Sequence, residues 1–220
     1  MKPTVEELTS DPKFELLDKL SYDRVLDFAG NYMRKQSRPM RYFYICLLAM
    51  LGLLIVSLMI GVLGRGRSVL SVLKQYGYGI IISFTAIIPI HEIIHGIVYF
   101  LLGARKIRFG AELKQFAFYA VADKFVTQKA GFYVLALSPF VIITLLNLAG
   151  FIFVPGVASY TYISVIFFHT TMCIGDFALL SYYDTHRGKE IYSFDDVDNR
   201  ISYFYYRKAQ RATDAETSSA

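Results

Sequence analysis

Four blocks of the chain stay apolar for about 20 residues or more, the length a helix needs to cross a bilayer. They are 42–63 (YFYICLLAMLGLLIVSLMIGVL), 79–102 (GIIISFTAIIPIHEIIHGIVYFLL), 132–154 (FYVLALSPFVIITLLNLAGFIFV) and 160–183 (YTYISVIFFHTTMCIGDFALLSYY). In hydrocarbon a backbone must pair its own N–H and C=O groups, so each block is predicted to be a transmembrane helix and the chain an all-α membrane protein. Composition agrees: of the 220 residues, 55% are hydrophobic and 19% charged, with the apolar ones gathered into the blocks. The expected organisation is a cytoplasmic or interfacial N-terminal helical segment (1–41), a four-span domain (42–183) and a cytoplasmic C-terminal tail (184–220).

A net charge of +5 does not point to nucleic acid here, because the basic residues flank the apolar blocks, where they act as topology signals. Arg34, Lys35, Arg38 and Arg41 precede the first block; Arg105, Lys106, Arg108, Lys114, Lys124 and Lys129 separate the second from the third; Arg187 and Lys189 follow the fourth. The opposite side keeps Arg65, Arg67 and Lys74, so both termini are expected in the cytoplasm of a multi-pass cell-membrane protein. A charged stretch precedes the first block and no cleavage-like site follows it, so that block reads as a retained anchor. Cys46 and Cys173 both lie inside blocks and give no disulfide framework.

Between the blocks the signals are weaker. Residues 13–35 (KFELLDKLSYDRVLDFAGNYMRK) carry Leu, Val and Phe at roughly helical spacing after Asp11-Pro12, which predicts an amphipathic helix with that pair as its cap and first turn. RFGAELKQFAFYAVADKF (108–125) fits a small β-hairpin between helices two and three, or an irregular or re-entrant connection. ISYFYYRK (201–208) reads as a short strand or an interfacial aromatic-basic anchor, and the last ten residues as disordered.

Chemistry concentrates in HEIIH, residues 91–95. On a helix, residues four apart share a face about one turn from each other, so His91 and His95 can offer imidazole nitrogens to one ion. Glu92 projects beside them as a candidate general base for an attacking water, and zinc is the cofactor this pattern calls for. Ionisable groups in hydrocarbon cost a few kcal/mol or more unless partnered, which makes them functional candidates. A catalytic zinc takes three protein ligands, and the fourth block supplies the third: His169, Cys173 and Asp176 recur at i, i+4, i+7 on one predicted helical stripe. Asp176 is chosen, because two histidines and a carboxylate suit hydrolytic zinc and because His169 falls about a turn too deep; Cys173 and His169 remain alternative ligands. Pro89 and Pro139 each remove a helical hydrogen bond near the site, and Thr170, Thr171 and Asn147 are candidate supporting groups.

HEIIH in a span, the Pro-containing LALSPFVIITLLNL (135–148) and Gly175-Asp176 in the last block resemble a bacterial family of zincin-type membrane peptidases of unknown function, similar to the site-2 class of intramembrane metalloproteases. The resemblance covers the chain from about residue 80 onwards. It implies zinc held by His91, His95 and Asp176, Glu92 as general base, and a peptidase acting on membrane-associated peptides or proteins within or beside the bilayer. It also implies a role for 108–125 as an edge to which an unwound substrate adds as a strand. The Asn-x-x-Pro and Leu-Asp-Gly signatures of site-2 proteases are absent; Cys-Ile-Gly-Asp-Phe (173–177) stands instead, and there is no PDZ insert. Competing readings are a non-catalytic metal-binding membrane protein serving as a sensor or transporter partner, and a metal transporter.

Overall fold

The structure is a computed structural model that describes residues 2–112 and 117–208. It is mostly helical, with three helices long and apolar enough to cross a membrane, or four if one bent pair counts as a single span. Helix α1 (Val5–Ser10), strand β1 (Phe14–Ser21), a 3₁₀ turn (Tyr22–Arg24) and α2 (Val25–Met33) lead into α3 (Arg38–Met59). Ser37 caps α3, its hydroxyl accepting from the Met40 N–H, and Pro39 sits in the first turn, where a missing N–H costs nothing. A π turn (Ile60–Gly64) extends α3 to the residues before Arg65.

Helix α4 (Val69–Ile82), a π turn (Ser83–Ile87) and α5 (Ile88–Leu101) form one continuous apolar span of 33 residues. Pro89 has no N–H for the preceding turn, and the wide turn lies where that bond would have been. The hydroxyls of Ser83 and Thr85 bond back to Gly79 and Ile81 at 2.8 and 2.7 Å. A Cβ on Gly79 would lie 2.5 Å from that of Ser164, so α4 and the later helix that carries Ser164 meet almost backbone to backbone. The span starts at residue 69, ten residues before the apolar block, because Gln75 is accepted inside the bundle: its side-chain oxygen takes the Thr161 hydroxyl at 2.7 Å.

Hairpin β2 (Ile107–Glu112) and β3 (Ala117–Ala122) follows, paired antiparallel from Ile107–Ala122 to Glu112–Ala117. Then come β4 (Thr127–Gln128), α6 (Lys129–Phe153), α7 (Ser159–Met172), α8 (Ile174–Thr185), β5 (Ile191–Asp196) and β6 (Ile201–Arg207). Helices α7 and α8 are bent by 42° at Cys173, so the fourth apolar block is a broken helix.

Two expectations need correction. Residues 13–35 are not one amphipathic helix: 14–21 is a strand, and Asp11 ends α1 instead of opening a helix. A register shift between Leu16 and Asp18 breaks the strand's alternation, so Phe14, Leu17 and Leu20 all reach the core at the three-residue interval that mimics a helical stripe. Nor is the chain all-α beyond its hairpin, since β1, β6, β5 and β4 form a four-stranded antiparallel sheet in that order. ISYFYYRK supplies β6, the strand alternative of its two readings. The expected disordered tail lies outside the described residues.

The sheet caps one end of the bundle. Tyr182 and Tyr183 of α8 are fully buried against Leu20, Ile191 and Phe204, and Phe132 of α6 stacks on Tyr183 with ring centroids 4.7 Å apart. Because β1 precedes α3 and β6 follows α8, their pairing brings the segments before and after the apolar helices to the same end. Along the bundle the outward residues are bare hydrocarbon: Leu63, Leu101, Leu146 and Phe153 are each at least 67% exposed, which suits contact with lipid.

Candidate metal centre

The site is built where α5, α6, α7 and α8 converge under the sheet. One turn apart on α5, His91 and His95 place their Nε2 atoms 3.0 Å from each other. Asp176 meets both: its carboxylate oxygens lie 3.2 Å from His91 Nε2 and 3.4 Å from His95 Nε2. Asp176 sits in the first turn of α8, where unpaired backbone N–H groups favour an anion. The break at Cys173 is what starts that helix at this depth.

Each histidine is oriented from behind. His95 Nδ1 lies 3.1 Å from the carbonyl oxygen of Leu135. That carbonyl is available because the residue four positions on, Pro139, has no N–H to give it. With Nδ1 donating, the lone pair of Nε2 faces Asp176. His91 Nδ1 lies 3.1 Å from His169 Nε2, and Cys173 Sγ lies 3.5 Å from the same His169 nitrogen. His169, Cys173 and Asp176 therefore do not share one stripe: the bend turns His169 and Cys173 toward the back of His91 and Asp176 toward its front.

The front donor set fits a metal ion. Bonds of about 2.0–2.2 Å at tetrahedral angles separate ligand atoms by about 3.3–3.6 Å, and His91, His95 and Asp176 at 3.0, 3.2 and 3.4 Å need to part only slightly to match. A neutral imidazole pair with a carboxylate is the donor chemistry of hydrolytic zinc. All three ligand atoms lie within 4.8 Å of one another, and so do those of His91, His169 and Cys173.

Glu92 is half-buried and accepts a hydrogen bond from the Ala120 N–H of β3. Gly96 leaves room on α5 for the Phe109 ring of the hairpin: a Cβ there would lie 2.6 Å from Phe109 Cζ. Glu92 faces two cavities. One, of about 640 Å³, runs from His91, His95 and Asp176 up to Tyr22 and Asp195 in the cap and Glu112 of the hairpin. The other, of about 260 Å³, lies between α5 and the hairpin and is lined by Ile88, Pro89, Ile93, Phe109, Phe118 and Tyr119.

The roof of the large cavity carries its own polar cluster. Asp195 accepts from Ser202 and from Tyr22, and burial raises its carboxyl to about 6 against those two hydrogen bonds. Burial, and then the charge of Asp195, push the Tyr22 phenol up as well. Arg200 pairs with both Glu112 and Asp23, tying the β5–β6 turn to the hairpin and to the 3₁₀ turn.

Thr170, Thr171 and Asn147 bond to carbonyls of their own helices, Ile166, Phe168 and Ile143, and so brace helices instead of ligands. Sequence reasoning missed the Leu135 carbonyl and the Ala120 N–H, since backbone groups carry no residue signature. The proline four residues after Leu135 was the available signal for the first.

No curated protein and no solved structure matches the chain. One family profile does, and it spans every residue of the donor set from His91 to Asp176: residues 84–185 match the family described as "Putative zincin peptidase".

Proposed function

We propose that this chain is a zinc-dependent peptidase of the membrane, hydrolysing peptide bonds of membrane-associated proteins or peptides. The observation that carries the proposal is the convergence of two Nε2 atoms from α5 and one carboxylate from α8, in a cavity that Glu92 also lines. Zinc held by His91, His95 and Asp176 would acidify a water and polarise the carbonyl under attack. Glu92 takes the proton of the attacking water and returns it to the leaving amine. The sheet and hairpin restrict bulk water, while the large cavity gives it a measured way in.

A helical substrate hides its carbonyls in its own hydrogen bonds, so it must unwind locally before attack. The apolar groove between α5 and the hairpin is the lateral way in from lipid, and β3 is the edge to which the unwound segment adds. In this reading the four spans (within 42–183) lie in the cell membrane, and 1–41 and 184–220 lie on the cytoplasmic side with the capping sheet. The basic residues beside the capped end support that orientation.

The test is zinc content and cleavage of candidate membrane peptides by purified wild type and Glu92→Gln. The variant is expected to keep its zinc and lose about 10²-fold or more in cleavage rate. Equal cleavage by the variant removes the peptidase reading, and metal flux that survives the substitution would favour transport.

A further inference from the structure

We propose that His91, His169 and Cys173 form a second metal seat, selective for a thiophilic ion such as copper(I), whose filling withdraws His91 from the zinc seat. The inference rests on the zinc assignment of the front donors. His91 Nδ1 and His169 Nε2 are 3.1 Å apart, His169 Nε2 and Cys173 Sγ are 3.5 Å apart, and all three donor atoms lie within 4.8 Å of one another. Metal–nitrogen and metal–sulfur bonds of about 2.0 and 2.3 Å give ligand separations of about 3.4–3.7 Å, so small side-chain shifts suffice. Both His169 and Cys173 are fully buried, and His169 lines the large cavity, which gives an ion a route to it.

The donor chemistry separates the two seats. Front donors are two nitrogens and a carboxylate, a set for zinc; back donors are two nitrogens and a thiolate, the set that soft copper selects. A neutral imidazole has one lone pair, so His91 serves one seat at a time. With copper on Nδ1, its proton resides on Nε2 and donates to Asp176, which already lies 3.2 Å away. His91 then holds one proton in either state, and the Cys173 thiol releases its proton to solvent. No group is oxidised or reduced. Copper(I) thereby leaves zinc with His95 and Asp176 alone, and zinc departs.

The experiment adds copper(I), stabilised as its acetonitrile complex, to the zinc-loaded full chain. It reads released zinc with a chelating dye and the neighbours of both metals by X-ray absorption. Release of zinc is expected, with sulfur beside copper and none beside zinc. Cys173→Ser is expected to lose the copper–sulfur signal and at least about tenfold in copper affinity while still binding zinc, and Cys46→Ser to behave as wild type. Copper with nitrogen and oxygen neighbours alone, or a sulfur signal that persists in Cys173→Ser, overturns the second seat and leaves the zinc seat standing. Sulfur beside zinc in the wild type instead overturns the front donor set, and this proposal with it.

Discussion

His95 is aimed by Leu135: the imidazole Nδ1 lies 3.1 Å from a carbonyl oxygen that Pro139 leaves without a helical donor. A proline in the neighbouring span thus acts on the metal seat through a backbone atom. Pro139→Ala restores an N–H that competes for the Leu135 carbonyl. Zinc affinity is expected to fall about 10–100-fold, the range for losing a partner behind a ligand. Competition against a chelator measures it, and unchanged affinity would show that the carbonyl serves both donors equally.

Asp176 and His169 are expected to separate by severity. Asp176→Ala removes the carboxylate of the proposed donor set, so zinc should be lost on gel filtration. His169→Phe removes the acceptor behind His91 and should retain zinc with about 10–100-fold weaker binding. Elemental analysis after dialysis distinguishes the two.

Asp195 makes the cap sensitive to pH. Its carboxyl is raised from 3.8 to about 6, chiefly by burial. Between these values the folded state holds more protons than the unfolded one, so stability falls as pH rises. The advantage of the neutral carboxyl is complete below about pH 4 and lost as pH passes about 6, on the order of 1–3 kcal/mol in all. Asp195→Asn should flatten this part of the profile and raise the unfolding temperature at pH 7.5. Thermal unfolding in detergent at several pH values is the measurement, and a slope unchanged by the substitution would assign it to another group.

Gly96 lies where the Phe109 ring of the hairpin meets the motif helix. The atom that a Cβ would strike is the far end of the exposed Phe109 ring, which can swing aside, so Gly96→Ala should change stability by less than about 1 kcal/mol. Gly96→Leu also presses on Ile107 and should cost about 1–3 kcal/mol and lower kcat/KM by shifting β3 from Glu92. Adding Phe109→Ala should restore part of both losses; no recovery would place the clash elsewhere.

What the sequence disclosed follows from where residue type constrains the backbone. Lipid leaves a helix little alternative, so the apolar blocks were legible, as was the one-turn spacing of His91 and His95. The start of the second span was not, because Lys74 and Gln75 look like a boundary while Gln75 is in fact bonded to Thr161. The strand at 14–21 was hidden by its own bulge. A stripe drawn through His169, Cys173 and Asp176 presumed an unbroken helix, and the bend at Cys173 separates them into two settings. The four-stranded sheet needed partners drawn from residues 14 to 207, a pairing that no local pattern encodes.

The pairing of β1 with β6 also fixes an order of assembly. Synthesis runs from the N-terminus, so His91 and His95 exist well before Asp176, and the first strand of the roof waits for residues 201–207 to be made. Neither the front donor set nor its cover can be complete on a nascent chain that ends before Asp176. A growing chain therefore holds the two histidines long before their carboxylate, and any ion that favours the finished arrangement binds only once that arrangement exists.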